Sequence, residues 1–383
     1  MKVTIAIDSF KGSLSTFEAG NAAAEGIKRV YTDAETVVSP IADGGEGTTE
    51  AIVEALGGEM RYVEVSDPLG RRITAGYGYI PESKTAVIEM SSAAGITLVS
   101  EAERNPMDTT TFGVGEMIID AIRNGCRKFV AGIGGSATND GGTGMLSALG
   151  FEFLDKEGNK IPLGAKGLEK LYRIKTDNVI PELCECRFRI ACDVTNPLCG
   201  ENGCSAIYGP QKGATPENIP VMDSRLKNFA VLTKEIFPAS DAEYPGAGAA
   251  GGMGFAFMAY LSGELVSGIE LVMAETRLEE HIKDSDVVIT GEGRLDSQSA
   301  NGKAPVGVAK IAKKYGKTVI AFSGCTRDDA GILNEHGIDA FFPILKAPCT
   351  LSEAMNGENA AKNLADTAEQ AMRLYKTAER IKI

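Results

Sequence analysis

Short apolar runs alternate with helix-like segments at both ends of this 383-residue chain. The runs lie at residues 2–8, 36–41, 286–291, 318–323 and 339–344, and each is the length of a buried strand. Between them, Ser15 is the predicted cap of a helix that begins at Thr16, and a final helix is predicted from Ala360 to Glu379. This alternation predicts an α/β fold in which both ends of the chain build one doubly wound parallel sheet.

The middle of the chain has a different pattern. Residues 59–80 and 85–90 alternate like antiparallel strands around a turn at 67–70, and strands and helices mix from there to about Asp284. We therefore expect residues 1–58 and 285–383 to form one α/β domain, and residues 59–284 to form an inserted, mixed α/β domain.

One glycine-rich stretch of this middle segment, KFVAGIGGSATNDGGTG at residues 128–144, runs from a strand through a turn into a helix start. Glycine lets a ligand approach the backbone closely, and the N–H groups at a helix N-terminus favour an anion. The candidate binding residues are Gly134, Gly135, Ser136, Asn139 and Asp140. The alternative is a tight turn that binds nothing.

Composition narrows the choice of ligands. A net charge of −13 and a pI near 4.9 argue against nucleic acid and anionic membranes as partners.

We expect a cytoplasmic protein, since Met1 leads straight into a strand and no apolar run approaches the roughly 20 residues of a membrane span. Eight cysteines in no common zinc spacing indicate reduced thiols, and two histidines argue against a histidine-based metal site. Whether the chain forms a homo-oligomer is left open.

Polar loops follow the predicted strands of the first domain, where ligands bind in doubly wound sheets. These loops are SFKGS, ADGGEGT and GEGRLDSQS, and they contribute the candidate binding residues Ser13, Asp43, Gly44, Gly45, Gly293 and Arg294. Lys11 in the first loop and Lys212 in the segment GPQKGA are candidate cations for a phosphate or a carboxylate. The alternative for each is a solvated loop lysine.

Asp43, Asp193 and Asp296 each follow an apolar strand. A carboxylate in such a position can hold Mg²⁺ or accept the proton of an attacking hydroxyl, although a helix cap or turn aspartate is the alternative. We expect one of Asp193 and Asp296 to be the catalytic base and the other to help hold Mg²⁺. Asp193 is favoured as the base because Asn196 lies close enough to share a metal or a substrate.

A dehydrogenase is the competing interpretation. Gly132-x-Gly134-x-x-Ala137 matches a dinucleotide-binding fingerprint, which would indicate an NAD-dependent dehydrogenase of a small hydroxy acid. Residues 139–142, however, interrupt the turn where the helix should already be running. A ligand-sensing regulator is the non-enzyme alternative, but the chain has no DNA-binding motif. Anion loops, loop lysines and strand-end carboxylates together favour phosphoryl transfer.

Seven segments, in this order, resemble the bacterial type 1 glycerate kinase family: IAIDSFKGSLS, PIADGGEGT, GIGGSATNDGGTGM, ACDVTNPL, GPQKGA, PGAGAAGGMG and GEGRLDSQSANGK. They cover residues 1 to about 310. Ile7 and Leu295 depart from the family's usual Pro and Ile, and neither change removes a polar group.

The resemblance implies ATP-dependent phosphorylation of D-glycerate with Mg²⁺, mostly at the 2-hydroxyl to give 2-phosphoglycerate. It also implies a discontinuous flavodoxin-like domain and an inserted mixed-sheet domain, with the substrates in a cleft between them. In that site, Lys11 and Lys212 would neutralise phosphate or the glycerate carboxylate, and the N–H groups of residues 134–136 and 44–45 would hold phosphate oxygens.

Overall fold

The computed structural model describes residues 1–42, 47–300 and 303–381 of the chain. The chain divides into two units, Met1–Asp43 with Val272–Ile383 and Gly44–Leu271. Both boundaries lie closer to the N-terminus than the boundaries that we predicted at 58 and 284.

The strands are three to nine residues long. In chain order they are β1 (Lys2–Ile7), β2 (Glu35–Val38), β3 (Glu59–Ser66), β4 (Arg72–Ile80), β5 (Thr85–Glu89), β6 (Lys128–Gly132), β7 (Glu152–Leu154), β8 (Arg173–Lys175), β9 (Arg187–Ala191), β10 (Glu264–Val266), β11 (Val287–Leu295), β12 (Thr318–Thr326) and β13 (Ala340–Pro343). Strands β11 and β12 extend beyond the apolar runs that predicted them.

The helices range from single turns to the long C-terminal helix. They are α1 (Thr16–Lys28), α2 (Thr48–Ala55), α3 (Ser91–Ala94), α4 (Phe112–Arg123), α5 (Thr143–Ala148), α6 (Cys204–Tyr208), α7 (Asn218–Ile236), α8 (Ala249–Leu261), α9 (Gly268–Glu275), α10 (Leu278–Lys283), α11 (Ala304–Lys314), α12 (Leu351–Ala354) and α13 (Gly357–Ile381). None of the described helices combines the length and the apolar character that a membrane span needs.

The first unit contains a five-stranded sheet in the order β13-β12-β11-β1-β2, and every pairing in it is parallel. Numbered within this unit, the order is 2-1-3-4-5, which is the flavodoxin-like arrangement. Ile5, Ile289 and Phe322 are buried between the sheet and the pair α1 and α13, whereas α11 packs on the other face. The predicted doubly wound sheet is confirmed, because strands buried on both faces read as continuous apolar runs.

The second unit has a mixed sheet in the order β10-β9-β6-β5-β4-β3 and a two-stranded sheet of β7 and β8. Strands β3, β4 and β5 pair antiparallel, while β5, β6, β9 and β10 pair parallel. The prediction of a mixed α/β segment is therefore confirmed.

Helix α2 is the element that we had assigned to the first domain. In the structure it packs on the mixed sheet, with contacts to β3, β4 and β5. Helix α2 lies so close to β4 that a Cβ atom added at Gly78 of β4 would lie 2.3 Å from Val53 of α2. Ile52 and Val53 of this helix are buried, but an apolar helix face in the sequence does not specify which sheet it will cover.

Candidate functional site

The first unit contains a cavity of about 470 Å³ at the carboxyl ends of β1 and β11. These two strands are neighbours at the point where the strand order reverses, which is where doubly wound sheets bind their ligands. The predicted residues Lys11, Ser13, Gly293 and Arg294 all line this cavity. The structure therefore brings together the loop after β1 and residues 291–295, which we predicted as part of a loop but which form the last part of β11.

A tight turn after β1 presents Lys11 and Ser13. The N–H of Phe10 donates to the carbonyl of Leu14 at 2.9 Å, and the Ser13 hydroxyl donates to the carbonyl of Phe10 at 2.9 Å. Gly12 has a φ of +84°, a conformation that glycine adopts at little cost. Ser15 then caps α1 through a capping box with Glu18, so the turn is held at both ends.

Asp8, Glu292 and Lys303 also line the cavity, although we did not select them from the sequence. Burial raises the pKa of Glu292, and a hydrogen bond from the Ser299 hydroxyl opposes that shift. Lys303 Nζ lies 3.7 Å from Glu292 Oε2, which also favours the ionised carboxylate. The position of Asp8 at the end of the first apolar run was the signal that could have selected it from the sequence.

Asp296 follows β11 and is almost fully buried. Its Oδ1 accepts the N–H of Gln298 at 3.0 Å, and its Oδ2 accepts the Nε–H of Arg294 at 3.0 Å. These contacts are those of a turn aspartate that also orients Arg294 toward its position in the cavity wall. A catalytic or metal-binding role for Asp296 stays a prediction. Asp43, Gly44 and Gly45 lie outside the described residues.

The glycine-rich loop of the second unit runs from the end of β6 to the start of α5. Gly134 and Gly135 are exposed, whereas Ser136 is buried. The Lys212 ammonium, only 2% exposed as a residue, donates to Ser136 Oγ and to the carbonyl of Thr138, both at 2.7 Å. Burial lowers the pKa of Lys212 to about 8. Lys212 thus fixes the loop from inside.

Asn139 and Asp140 are fully buried in the same loop. Asp140 accepts the N–H groups of Thr111 at 2.9 Å, Gly142 at 3.0 Å and Gly144 at 3.3 Å. Burial raises the pKa of the Asp140 carboxyl, and these hydrogen bonds oppose the shift. Asn139 Nδ2 donates to Ser205 at 2.9 Å. Both side chains therefore hold the loop against neighbouring segments, and their contact with a ligand stays a prediction.

The segment PGAGAAGGMG packs against this loop. Residues 250–252 have left-handed backbone angles, and a Cβ atom at Gly251 would lie only 2.1 Å from the carbonyl oxygen of Thr138. Glycine at position 251 therefore allows the backbone of this segment to pack directly against the backbone of the loop. The fingerprint at Gly132 also lacks its helix, because residues 133–142 run without helical structure before α5 begins at Thr143.

Asp193 and Asn196 lie in the loop after β9. Asp193 is exposed, and its Oδ1 accepts the N–H of Gly268 at the start of α9, at 3.0 Å. Asn196 Oδ1 accepts the Tyr208 hydroxyl at 2.6 Å, and its Nδ2 donates to the carbonyl of Asn202 at 2.8 Å. The Asn196 amide therefore holds its own loop. The roles of Asp193 and Asn196 toward a substrate or a metal stay predictions.

Metal binding by side chains alone finds no support in the described ranges, which contain no group of three or more His, Cys, Asp or Glu residues arranged to hold an ion. The eight cysteines, all within those ranges, are free thiols. Mg²⁺ in phosphoryl-transfer sites usually needs only one or two carboxylates, because phosphate oxygens and water supply the other ligands. The carboxylates of Asp8 and Glu292, in a cavity also lined by Lys11, provide that type of donor.

A parallel sheet of order 2-1-3-4-5 with a cation-lined cavity at its switch point defines a doubly wound α/β protein with a candidate ligand site at the strand ends. Comparison with known sequences identifies the family. The model of the glycerate kinase family matches residues 3–376, and the chain belongs to that family.

The chain is 48% identical to the glycerate 2-kinase of Escherichia coli (strain K12), over 97% of this chain and 99% of the relative. It is 46% identical to a glycerate kinase of Haemophilus influenzae, over 98% of each chain. A crystal structure of a Salmonella typhimurium LT2 protein assigned as glycerate kinase 2 superimposes with a TM-score of 0.92, at 45% identity and 99% coverage of both chains. The protein is accordingly a kinase, and the dehydrogenase interpretation is not retained.

Proposed function

We propose that this protein transfers the γ-phosphoryl group of ATP to D-glycerate, giving 2-phospho-D-glycerate and ADP. The oxygen of the 2-hydroxyl forms a bond to the γ-phosphorus while the bond from that phosphorus to the β–γ bridging oxygen breaks. The hydroxyl proton passes to a base, for which Asp193 remains our choice.

The observation that carries the proposal is the cavity at the β1–β11 switch point. The chain has a net charge of −13, yet Lys11, Arg294 and Lys303 all line this one cavity. Cations gathered at strand ends are what an anionic, phosphorylated ligand requires, since phosphoryl transfer depends mainly on positioning and charge neutralisation. The E. coli relative named glycerate 2-kinase supports the choice of acceptor and of hydroxyl.

Each group then has a proposed task. Lys11, Arg294 and Lys303 neutralise phosphate oxygens, and Ser13, whose hydroxyl donates to the Phe10 carbonyl, holds the turn that presents Lys11. Asp296 is a positioning residue for Arg294, because the two side chains are hydrogen-bonded at 3.0 Å. In the second unit, the accessible backbone of Gly134 and Gly135 is the candidate for an anion such as the glycerate carboxylate, with Lys212 and Ser136 holding the loop in shape.

Mg²⁺ fits the donor set of the first unit. Asp8 and Glu292 supply hard carboxylate oxygens in the same cavity, and we propose them as its protein ligands beside the phosphates of the nucleotide. When bound, the ion would withdraw charge from the phosphate oxygens during transfer.

A coupled assay of ADP release tests the reaction. D-Glycerate with ATP and Mg²⁺ should produce ADP, and the product should be consumed by enolase without added phosphoglycerate mutase, because enolase acts on the 2-phosphate. A signal that needs the mutase would move the reaction to the 3-hydroxyl. Absence of D-glycerate-dependent ADP release would refute the proposed reaction.

Substitution of the proposed base tests the mechanism separately. Asp193→Asn should lower kcat by about 10²–10⁴, the usual range for loss of a general base. The lost helix-capping contact to Gly268 is a second effect of this change, so the melting temperature must be measured alongside. A folded variant with full kcat would exclude Asp193 as the base.

A further inference from the structure

The cavity of the first unit has two chemically different walls. The polar wall carries Asp8, Lys11, Glu292 and Lys303. The apolar wall comes from the segment after β13 and from the region of α12 and α13. Its residues are Ile344, Leu345, Leu351, Ala354, Met355 and Ala360.

Several of these apolar side chains are exposed. Leu351 is 78% exposed, Met355 38% and Leu345 37%. Exposed large apolar side chains that meet in one cavity commonly mark a ligand-binding surface. Glycerate cannot account for them, because this three-carbon acid carries a polar group on every carbon and has almost no apolar surface.

A nucleotide matches both walls. Its flat base needs an apolar surface, and its phosphates need cations. The cavity, at about 470 Å³, is of the size that binds a nucleotide or a drug-sized ligand rather than a small acid. Its position at the β1–β11 switch point is also where sheets of this order bind a nucleotide-type ligand.

We propose that the first unit alone forms the nucleotide site, with the base against Leu345, Leu351 and Met355 and the phosphates toward Lys11, Arg294 and Lys303. This inference rests on the proposed use of ATP, and it assigns the nucleotide, not glycerate, to this cavity. Met355 also lies close to the loop that carries Lys11. A Cβ atom added at Gly12, next to Lys11, would lie 2.6 Å from the Met355 methyl. The two ends of the ligand are thus recognised by segments in direct contact.

The double variant Leu351→Ala/Met355→Ala tests the apolar wall. Both residues are exposed, so the change should leave the fold intact. Removal of their contacts with the base should raise the Kd of ADP at least tenfold, measured by calorimetry on the full chain without glycerate. The Kd of inorganic tripolyphosphate, which has no base, should change less than twofold. Leu374→Ala is the matched control, because Leu374 is an exposed leucine of α13 that does not line the cavity.

The outcomes separate this inference from the proposed reaction. An unchanged ADP Kd in the double variant, or an equal change in the Leu374→Ala control, would overturn the assignment. A raised KM for D-glycerate with an unchanged ADP Kd would also overturn it and place the acid here instead. Equilibrium ADP binding needs no turnover, so the assignment can hold even if the wild-type protein fails to phosphorylate glycerate.

Discussion

Lys212 gives the most direct test of how the glycine-rich loop is held. Its ammonium is buried and donates to Ser136 Oγ and the Thr138 carbonyl, while burial lowers its pKa from 10.5 to about 8. Each pKa unit corresponds to about 1.4 kcal/mol, so the charged lysine carries a burial cost of about 3 kcal/mol relative to the unfolded chain.

The sign of the pH dependence follows from proton binding. Between pH 8 and 10.5 the unfolded chain holds more protons at Lys212 than the folded chain, so stability rises with pH in this window. The cost is fully present below the folded pKa and disappears above the unfolded one. From pH 7.5 to 9.5, this lysine alone should add about 2 kcal/mol to the free energy of unfolding.

Lys212→Met removes the charge and keeps a side chain of similar length. Its effect at a single pH is not decisive, because the lost burial cost is offset by two lost hydrogen bonds of about 1.5–3 kcal/mol each. The informative quantity is the difference in unfolding free energy between wild type and variant, measured by urea denaturation with circular dichroism, under reducing conditions, at pH 7.5, 8.5 and 9.5.

Across this series the wild type should gain about 2 kcal/mol relative to Lys212→Met. Groups that titrate in both proteins cancel in the comparison. Lys156→Met, at an exposed lysine, is the control and should show a pH-independent difference from wild type. A pH-independent difference for Lys212→Met as well, or a change of opposite sign, would refute the account of a buried cation in this loop.

Other substitutions test packing, the buried carboxylate and the proposed phosphate contact. Gly26→Ala should lower the free energy of unfolding, measured by thermal melts, by about 1–3 kcal/mol, because its Cβ would lie 2.1 Å from the Ala365 carbonyl oxygen. The control Gly331→Ala, which has open space around it, should change the free energy of unfolding by no more than about 0.5 kcal/mol. Asp140→Asn should lower the free energy of unfolding by about 2–3 kcal/mol, because the asparagine amide nitrogen would face backbone N–H groups that donate to the carboxylate in the wild type. Unchanged stability would contradict this. Lys11→Met should leave the melting temperature unchanged at this exposed position yet lower kcat/KM for ATP by about 10²-fold; full activity would remove Lys11 from the site.

The flavodoxin-like sheet could be predicted from the sequence because its strands are buried on both faces and appear as separate apolar runs. Lys11, Ser13, Gly293 and Arg294 could be predicted with it, since the ends of neighbouring parallel strands meet at one edge. The placement of α2 could not, because an apolar helix face does not specify which sheet it will cover.

The apolar wall of the cavity could not be predicted from the sequence either. Leu351 and Met355 lie in a short segment without a recognisable motif, and a single exposed leucine is ordinary on a protein surface. Only the fold shows that this segment lines the same cavity as the loop after β1. Glu292 was missed for a related reason, since a glutamate between glycines reads as a solvated loop residue until its burial is known.

Glycine-rich sequence in this protein has two causes that the sequence cannot separate. A Cβ atom at Gly134 would meet nothing within 4 Å, and the residue is exposed, so a ligand can reach its backbone. A Cβ atom at Gly144 or Gly251 would instead lie 2.2 Å from Thr110 Oγ1 or 2.1 Å from the Thr138 carbonyl oxygen. Glycine at these two positions is required by internal packing, whatever the ligand. Anion binding by this loop should therefore depend on the exposed Gly134–Gly135 pair, while the later glycines determine the shape in which that pair is presented.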